Sequence, residues 1–201
     1  MRALIVYCHP RPGSFNAAVR DVIVQKLHSH GAETRLRDLY AEGFSPVLQP
    51  EEHAGYLNCP TNRLPVDDHC RDVEWADTLI FVYPTWWYGL PAMLKGWLDR
   101  VLLPDVAFKM PDDQNPNIRP GLLHIKRLGV FTTCGASWWL TALVGSPGKR
   151  QLMRGVGWLM PRRAAKIFAA HYLMDASTPE TRARHLAYVA TRMDRLMKGA
   201  T

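Results

Sequence analysis

The sequence predicts an α/β fold in which a five-stranded parallel sheet carries helices on both faces. Short apolar runs, such as residues 2–8 and 78–83, alternate with segments whose apolar residues recur at helical spacing. The runs end at Pro, Gly, Ser or Thr, as is typical of strands that are buried on both faces. No repeat, low-complexity tract or Ser/Gly linker divides the chain, so we expect residues 1–201 to form one domain.

The first half of the chain predicts two strands, one long helix and one insertion. The strands are expected at residues 2–8 and 32–39, and the helix at 16–30, where apolar residues fall on one stripe. Gly31 stands where a helix C-terminal cap would stand. The stretch at about 40–68 is rich in Pro, Glu, His and Asn, and we interpret it as a surface insertion with short helical pieces.

The second half predicts three more strands and three helices. In order, these are strand 78–83, helix 91–102, strand 127–133, helix 147–159, strand 164–174 and a last helix that opens at Thr178 and Pro179. Strand and helix alternate throughout, which favours parallel strands joined by crossover helices.

Composition limits the classes of function. The chain has 201 residues, of which 47% are hydrophobic and 21% are charged, as in ordinary globular proteins. The formal charge of +7 suits nucleic acid, an anionic surface or phosphorylated small molecules. Because the basic residues are dispersed and no nucleic-acid motif accompanies them, we expect no nucleic-acid partner.

Targeting signals are weak. The apolar run at the N-terminus is too short to span a membrane, and no signal-peptide cleavage pattern follows it. Four scattered cysteines without a Cys-x-x-Cys motif indicate reduced thiols. We therefore expect a cytoplasmic protein without membrane insertion.

Several residues that resemble functional groups are interpreted as structural. CHP at 8–10 and DDHC at 67–70 contain metal-ligand residue types, but no second pair stands at ligand spacing, so no metal is expected. His171 lies in an apolar strand and is interpreted as a satisfied core histidine. Asp99 and Arg100 are interpreted as a pair on a helix surface.

Ligands of parallel sheets bind at the carboxyl ends of the strands, and three loops there have unusual chemistry. The first loop is HPRPGSFN, residues 9–16. Ser14 and Asn16 are candidate helix caps, and the start of the helix offers free N–H groups to an anion. His9 and Arg11 add positive charge. We interpret this loop as a phosphate seat, with a plain capped turn as the alternative.

The second loop sets Trp86, Trp87 and Tyr88 just before a helix that starts at Pro91. Flat, rigid side chains at the mouth of a sheet can sandwich a planar ring, and stacking adds roughly 0.5–1.5 kcal/mol per pair. Leu90 has no side-chain oxygen, so the first N–H groups of that helix stay uncapped. The alternative is that one tryptophan packs on the helix and another fills a dimer contact.

The third loop, TTCGASWW at residues 132–139, carries hydroxyls, a glycine and a second tryptophan pair. Thr132, Thr133 and the backbone around Cys134 and Gly135 can hydrogen-bond the polar edge of a heterocycle whose face rests on Trp86 or Trp87. A phosphate seat and two aromatic loops at adjacent strand ends together favour a flat cofactor.

Nearly the whole chain resembles the flavodoxin-like NAD(P)H:quinone oxidoreductases. The most specific part is YPTWWYGLPAMLKGWLDRVL at residues 83–102, which is similar to the family's pattern of Pro, an aromatic pair, Pro-Ala and Leu-Lys-Gly-Trp. HPRPGSFN resembles the flavin phosphate loop, and TTCGAS resembles the Thr-Thr-Gly-Gly loop at the isoalloxazine edge. The resemblance implies a flavodoxin-like fold and a bound flavin.

The resemblance also implies a role for each part of the three loops. The ribityl phosphate would be held by His9, Ser14, Phe15 and Asn16, with Arg11 beside them. The flavin ring would be lined by Pro84, Thr85, Trp86 and Trp87, and its polar edge would meet Thr132, Thr133, Cys134 and Gly135. The substrate or nicotinamide would meet Tyr88, Trp138 and Trp139. The Tyr and His that assist hydride transfer in some members are replaced here by SWWLTALVGSPG. Because an indole N–H cannot exchange a proton at neutral pH, no catalytic side chain is assigned.

The implied activity is hydride transfer from NADPH or NADH through flavin to a quinone or similar flat acceptor, with the cofactor carrying the redox chemistry. FMN is favoured over FAD because the chain leaves no obvious segment for an adenine, although the resemblance allows FAD. Lys149, Arg150 and Arg154 are either attractors of NADPH phosphates or a solvated helix face.

Two other hypotheses stay open at this stage. One is a flavin-binding regulatory or ancillary subunit of a transport system. The other is a flavin-free basic domain whose tryptophans form a partner interface. In the family that the chain resembles, the active site lies at a two-fold interface, so the resemblance also implies a homodimer.

Overall fold

Five parallel strands form the central sheet of the computed structural model, which describes residues 1–199. The strands in chain order are β1 (Arg2–Tyr7), β2 (Glu33–Asp38), β3 (Thr78–Thr85), β4 (Phe108–Lys109), β5 (Arg119–Pro120), β6 (Arg127–Cys134) and β7 (Ala165–His171). The sheet has the order β2-β1-β3-β6-β7, while β4 and β5 pair with each other as a separate antiparallel hairpin. The predicted five-stranded parallel sheet is confirmed.

Helices cover both faces of this sheet, as predicted. They are α1 (Phe15–Ser29), α2 (Pro50–Ala54), α3 (Asp67–Trp75), α4 (Ala92–Val101), α5 (Trp138–Leu143), α6 (Pro147–Arg150) and α7 (Pro179–Lys198), with a π-helical segment at Gln151–Val156. Helices α1 and α7 pack on one face, and α3, α4 and the π-helical segment pack on the other. Within residues 1–199 no helix combines the length and the apolar character that crossing a membrane would require.

The sheet separates two apolar cores, and this explains the unbroken apolar run of β1. Successive side chains of a strand point to opposite faces, so Leu4 enters the core beneath α4 while Ile5 enters the core beneath α1. Both side chains are fully buried. Phe81 and Trp97 pack edge to face in the α4 core with ring centroids 6.0 Å apart.

The edge strand β2 is polar because its side chains bind a buried carboxylate. Asp72 of α3 accepts hydrogen bonds from Arg35 at 2.7 Å and from Arg37 at 2.5 Å. A buried charge is tolerated only when it is paired in this way. Helix α3 was not predicted, because most of its sequence is polar. These long-range ion pairs attach it, together with Cys70 and Val73, which are fully buried in the core beneath α4.

The stretch at about 40–68 is fastened to α4 by a buried arginine. Arg100 is 8% exposed and donates hydrogen bonds to Glu52 at 2.6 Å and to the Ser45 carbonyl at 2.5 Å. Asp99 pairs instead with Lys95 on the same helix. The expected surface pair of Asp99 and Arg100 is therefore wrong, because Arg100 lies on the helix face that meets this stretch.

We expect Gly96→Ala to destabilise the protein. A Cβ atom at Gly96 would lie 2.1 Å from the Pro46 carbonyl oxygen, and backbone cannot move aside cheaply. The free energy of unfolding should fall by about 3 kcal/mol, as overpacked sites typically show. Urea unfolding followed by circular dichroism measures this.

The matched control is Gly155→Ala: within residues 1–199, apart from the adjoining residues and the backbone of the same helix, no heavy atom lies within 4 Å of a Cβ built at Gly155. Its unfolding free energy should stay within about 1 kcal/mol of the wild type. Equal unfolding midpoints for the wild type and Gly96→Ala would contradict the close approach of α4 to Pro46.

Candidate functional site

A cleft of about 890 Å³ lies at the carboxyl ends of β1, β3 and β6. Its volume falls within the range of small-molecule and cofactor sites. The loops that follow four strands form its walls. The residues that line it are His9, Arg11, Gly13, Ser14, Phe15, Asn16, Pro84, Thr85, Trp86, Trp87, Tyr88, Thr133, Cys134, Gly135, Ala136, Met174 and Asp175.

The structure brings together most of the residues predicted from the three loops. Thr132 is the first exception: it lies one layer behind the wall, where its hydroxyl is 2.8 Å from that of Thr85. Trp138 and Trp139 are outside the cleft, in the first turn of α5, and are 67% and 63% exposed. The structure therefore does not place this pair in the lining of the cleft, and its contact with a substrate or nicotinamide stays a prediction.

Met174 and Asp175 line the cleft but were not predicted. They lie in a short 3₁₀ turn that follows β7. The sequence predicts that this strand continues to residue 174, whereas in the structure it ends at His171. The signal that marks these residues is the general one, that loops at the carboxyl ends of parallel strands meet at one edge of the sheet.

The first loop forms an anion seat at the start of α1. The Ser14 hydroxyl accepts a hydrogen bond from the Ala17 N–H at 3.1 Å, and the Tyr7 hydroxyl lies 3.1 Å from the same oxygen. The N–H groups of Phe15 and Asn16, in the first turn, have no intrahelical acceptor. They and the positive end of the helix dipole attract an anion.

His9 is arranged as a neutral donor beside this seat. Its Nδ1 accepts a hydrogen bond from the Arg11 N–H at 3.0 Å, which leaves Nε2 to carry the proton. Partial burial lowers the pKa of His9 below its ordinary value. An approaching phosphate would raise that pKa again, since a nearby negative charge favours the imidazolium.

Asn16 presents an unpaired acceptor in the cleft wall. Its Nδ2 donates to the Thr133 hydroxyl at 2.9 Å, and the side chain is 2% exposed. Its Oδ1 is buried without a hydrogen-bond partner in the part of the chain that the structure describes. Such an orphaned oxygen is costly unless a ligand N–H or O–H binds it. A ribityl hydroxyl or a ring N–H of a flavin has this donor chemistry.

The second loop is a strained turn of bulky residues. Trp87 and Tyr88 have φ angles of 49° and 62°, and the Gly89 N–H donates to the Trp86 carbonyl at 3.0 Å. Two consecutive left-handed residues are typical of a type I′ turn, where glycine and asparagine are preferred. Strain of this kind costs on the order of 1–3 kcal/mol per residue and concentrates at functional sites. The turn holds Trp87 95% exposed.

A cluster of aromatic and imidazole rings supports the anion seat from behind. The Phe15 ring packs edge to face on His171 with centroids 5.3 Å apart, and His171 packs on His185 at 5.0 Å. Both histidines are buried, and His171 Nδ1 and His185 Nε2 have no hydrogen-bond partner within residues 1–199. His171 is thus a core histidine as expected, but it is not a satisfied one.

We expect His185 to make the protein less stable in acid. Burial lowers the pKa of His185 to about 4. Between pH 6.5 and 4, His185 is therefore protonated in the unfolded chain and neutral in the folded chain. Stability is therefore full above pH 6.5 and is lost as the pH falls towards 4. Near pH 4.5 the loss from this side chain should be about 2–3 kcal/mol.

Urea unfolding at pH 7 and pH 4.5 measures this loss. His185→Phe should reduce the difference between the two pH values, whereas changing the exposed His53 to Gln should leave it unchanged. His69, whose pKa burial also lowers to about 4, contributes with the same sign in every variant. An unaltered pH dependence in His185→Phe would refute the assignment.

Comparisons with known proteins agree with this geometry. The Flavodoxin_2 family model, described as a flavodoxin-like fold, matches residues 1–193. A ribosyldihydronicotinamide dehydrogenase [quinone] from Pongo abelii is 33% identical over 140 residues, which cover 62% of this chain and 61% of that protein. An uncharacterized NAD(P)H oxidoreductase from Haemophilus influenzae is 36% identical over 141 residues, covering 68% and 66%. The chain thus spans less than two thirds of these relatives.

A solved structure extends the likeness to the whole fold. The NAD(P)H:quinone oxidoreductase from Methanothermobacter marburgensis superposes with a TM-score of 0.81 at 23% identity, covering 98% of each chain. At that identity the likeness shows the architecture: the same sheet and the same arrangement of helices.

Proposed function

Because the chain belongs to the Flavodoxin_2 family, we propose that it is a flavin-dependent NAD(P)H oxidoreductase. It passes a hydride from a nicotinamide through FMN to a quinone or similar flat acceptor. The observation that carries the proposal is the buried, unpaired Oδ1 of Asn16, set between an anion seat and an exposed aromatic wall. The names of the two relatives, a quinone dehydrogenase and an NAD(P)H oxidoreductase, support it.

Different residues of the cleft bind different parts of FMN. The N-terminus of α1, His9 and Arg11 bind the phosphate, and Asn16 accepts a hydrogen bond from the ribityl chain or the ring. Trp86 and Trp87 cover one face of the ring and exclude water from it. When bound, the flavin supplies the two-electron chemistry, and the chain supplies binding and orientation.

The charge distribution in the cleft favours FMN over FAD. His9 and Arg11 are the basic residues among those that line the cleft, and both belong to the one anion seat. A second phosphate would meet no further cation among the described residues that line the cleft. We propose that Tyr88, which lies beside Trp87 in the lining of the cleft, would contact the donor and then the acceptor.

We further propose a homodimer. Trp138, Trp139 and Leu143 of α5 are 67%, 63% and 76% exposed, and contiguous exposed apolar side chains of this size typically mark an interface. Sedimentation velocity should give twice the mass of one chain. The four cysteines are free thiols, which agrees with the reducing cytoplasm as the proposed location.

The first test is the visible spectrum of the purified protein with added FMN, followed by anaerobic addition of NADPH or NADH. We expect a yellow protein whose absorbance bleaches with the donor and returns with a quinone. A protein that takes up no flavin would refute the proposal. Flavin binding without bleaching would favour a regulatory or ancillary role instead.

A second test isolates the Asn16 oxygen. Asn16→Ala should weaken FMN binding about tenfold, which corresponds to the loss of one hydrogen bond of roughly 1.4 kcal/mol. Quenching of flavin fluorescence measures the dissociation constant.

The matched control is Asn58→Ala, because Asn58 is exposed and lies outside the lining of the cleft. Its FMN affinity should equal that of the wild type. An unchanged FMN affinity in Asn16→Ala would mean that Asn16 only braces the wall and does not contact the flavin.

A further inference from the structure

One carboxylate stands in the cleft wall. Asp175 is the acidic side chain among the described residues that line the cleft. It is also the first acidic residue after Asp113, because residues 114–174 contain neither Asp nor Glu. Among the described residues of the cleft wall, Asp175 is therefore the single source of negative charge.

The loop that carries Asp175 is fixed against the β6 loop. Leu173 adopts a left-handed conformation with φ 54° and ψ 44°, which a branched side chain adopts only when its surroundings impose it. The Leu173 N–H donates to the Ala136 carbonyl at 3.2 Å. A 3₁₀ turn follows, in which the Ala176 N–H donates to the Leu173 carbonyl at 3.1 Å.

This arrangement places the carboxylate directly on Gly135. A Cβ atom built at Gly135 would lie 2.5 Å from Asp175 Oδ2. The carboxylate can approach the backbone this closely because residue 135 is glycine and has no side chain. Gly135 lines the same cleft as Trp86 and Trp87, and a flavin ring stacked on these tryptophans, as proposed above, would place its polar edge at the backbone around Gly135. Asp175 thus adds a charge beside that edge.

A charge at this place distinguishes oxidised from reduced cofactor. A hydride from the nicotinamide brings two electrons and one proton to an uncharged ring, so the reduced ring carries one negative charge until a second proton binds. A carboxylate nearby repels that charge and leaves the oxidised ring almost unaffected. Charges near the ring are among the means by which proteins tune flavins.

We propose that Asp175 is a tuning residue that lowers the reduction potential of the bound flavin and so favours the passage of the electron pair to the acceptor. The inference rests on the proposed function, since it requires a flavin in the cleft. It adds a residue whose effect is on electron transfer and not on affinity alone.

Anaerobic potentiometric titration of the FMN-loaded protein tests the proposal. Asp175→Asn should shift the equilibrium towards reduced flavin three- to tenfold at low ionic strength, and a tenfold shift of a two-electron couple raises the midpoint potential by about 30 mV. Asp175→Glu keeps the charge and should keep the potential of the wild type.

The matched control is Glu33→Gln. Glu33 is exposed and begins β2, so it lies at the opposite edge of the sheet from the cleft. Its removal changes the net charge equally and should leave the potential unchanged. Added salt supplies a further test: screening should raise the potential of the wild type more than that of Asp175→Asn.

The possible outcomes distinguish failure of the proposed function from failure of the role assigned to Asp175. If the wild type binds no FMN, the proposed function fails and this inference fails with it. If FMN binds and bleaches but Asp175→Asn and the wild type have equal potentials at low salt, only the role of Asp175 is refuted. A shift as large in Glu33→Gln would also refute it, because the effect would then be one of net charge.

Discussion

The parallel pairing of β3 with β6 is the constraint on which the site depends. Its register sets Pro84 opposite Thr133 and Thr85 opposite Cys134, so the aromatic turn and the glycine loop leave the sheet from adjacent positions. The hydrogen bond from Asn16 to Thr133, two residues 117 positions apart in the sequence, attaches the start of α1 and its anion seat to the end of β6. Three distant segments therefore form one cleft because the strand ends that carry them are aligned.

A rigid sheet also explains how the loops hold unfavourable conformations. Trp87, Tyr88 and Leu173 all have positive φ angles without being glycine. Each costs on the order of 1–3 kcal/mol, a sum comparable to a large part of the net stability of a domain. Such strain persists because two apolar cores, on either side of the sheet, fix the strand ends from which these turns start. The strained turns bring Trp87, Tyr88 and the carboxylate of Asp175 into the lining of the cleft.

The sheet could be predicted from the sequence because buried parallel strands leave a local signal: β1 and β3 are apolar on both faces, whatever their neighbours. The first two loops of the cleft could be predicted because capping residues and adjacent tryptophans follow those strands directly. The buried ion pair of Arg100 could not be predicted, because its partner Glu52 is 48 residues earlier and belongs to a stretch without periodicity.

The end of β7 was misplaced for a related reason. The apolar residues that follow His171 continue the hydrophobic run, and only the backbone conformation of Leu173 shows that the strand has stopped. Asp175 was missed as a consequence, since a single carboxylate after a strand carries no pattern of its own. Trp138 and Trp139 are a different case: the sequence predicts that they contact the substrate or nicotinamide. In one chain they are exposed at the start of α5 and outside the lining of the cleft, so that contact stays a prediction.

The cleft places opposite charges on different strands, and with a flavin bound as proposed these charges would act on different properties. Arg11 and His9, after β1, would act on a phosphate whose charge is the same before and after the reaction, so they would stabilise both oxidation states equally. Asp175, after β7, would act on the ring edge, where the charge changes. Only an interaction that differs between two states can shift their equilibrium. Affinity and reduction potential would then be set by separate loops, and each could change through substitutions that leave the other loop and the sheet intact.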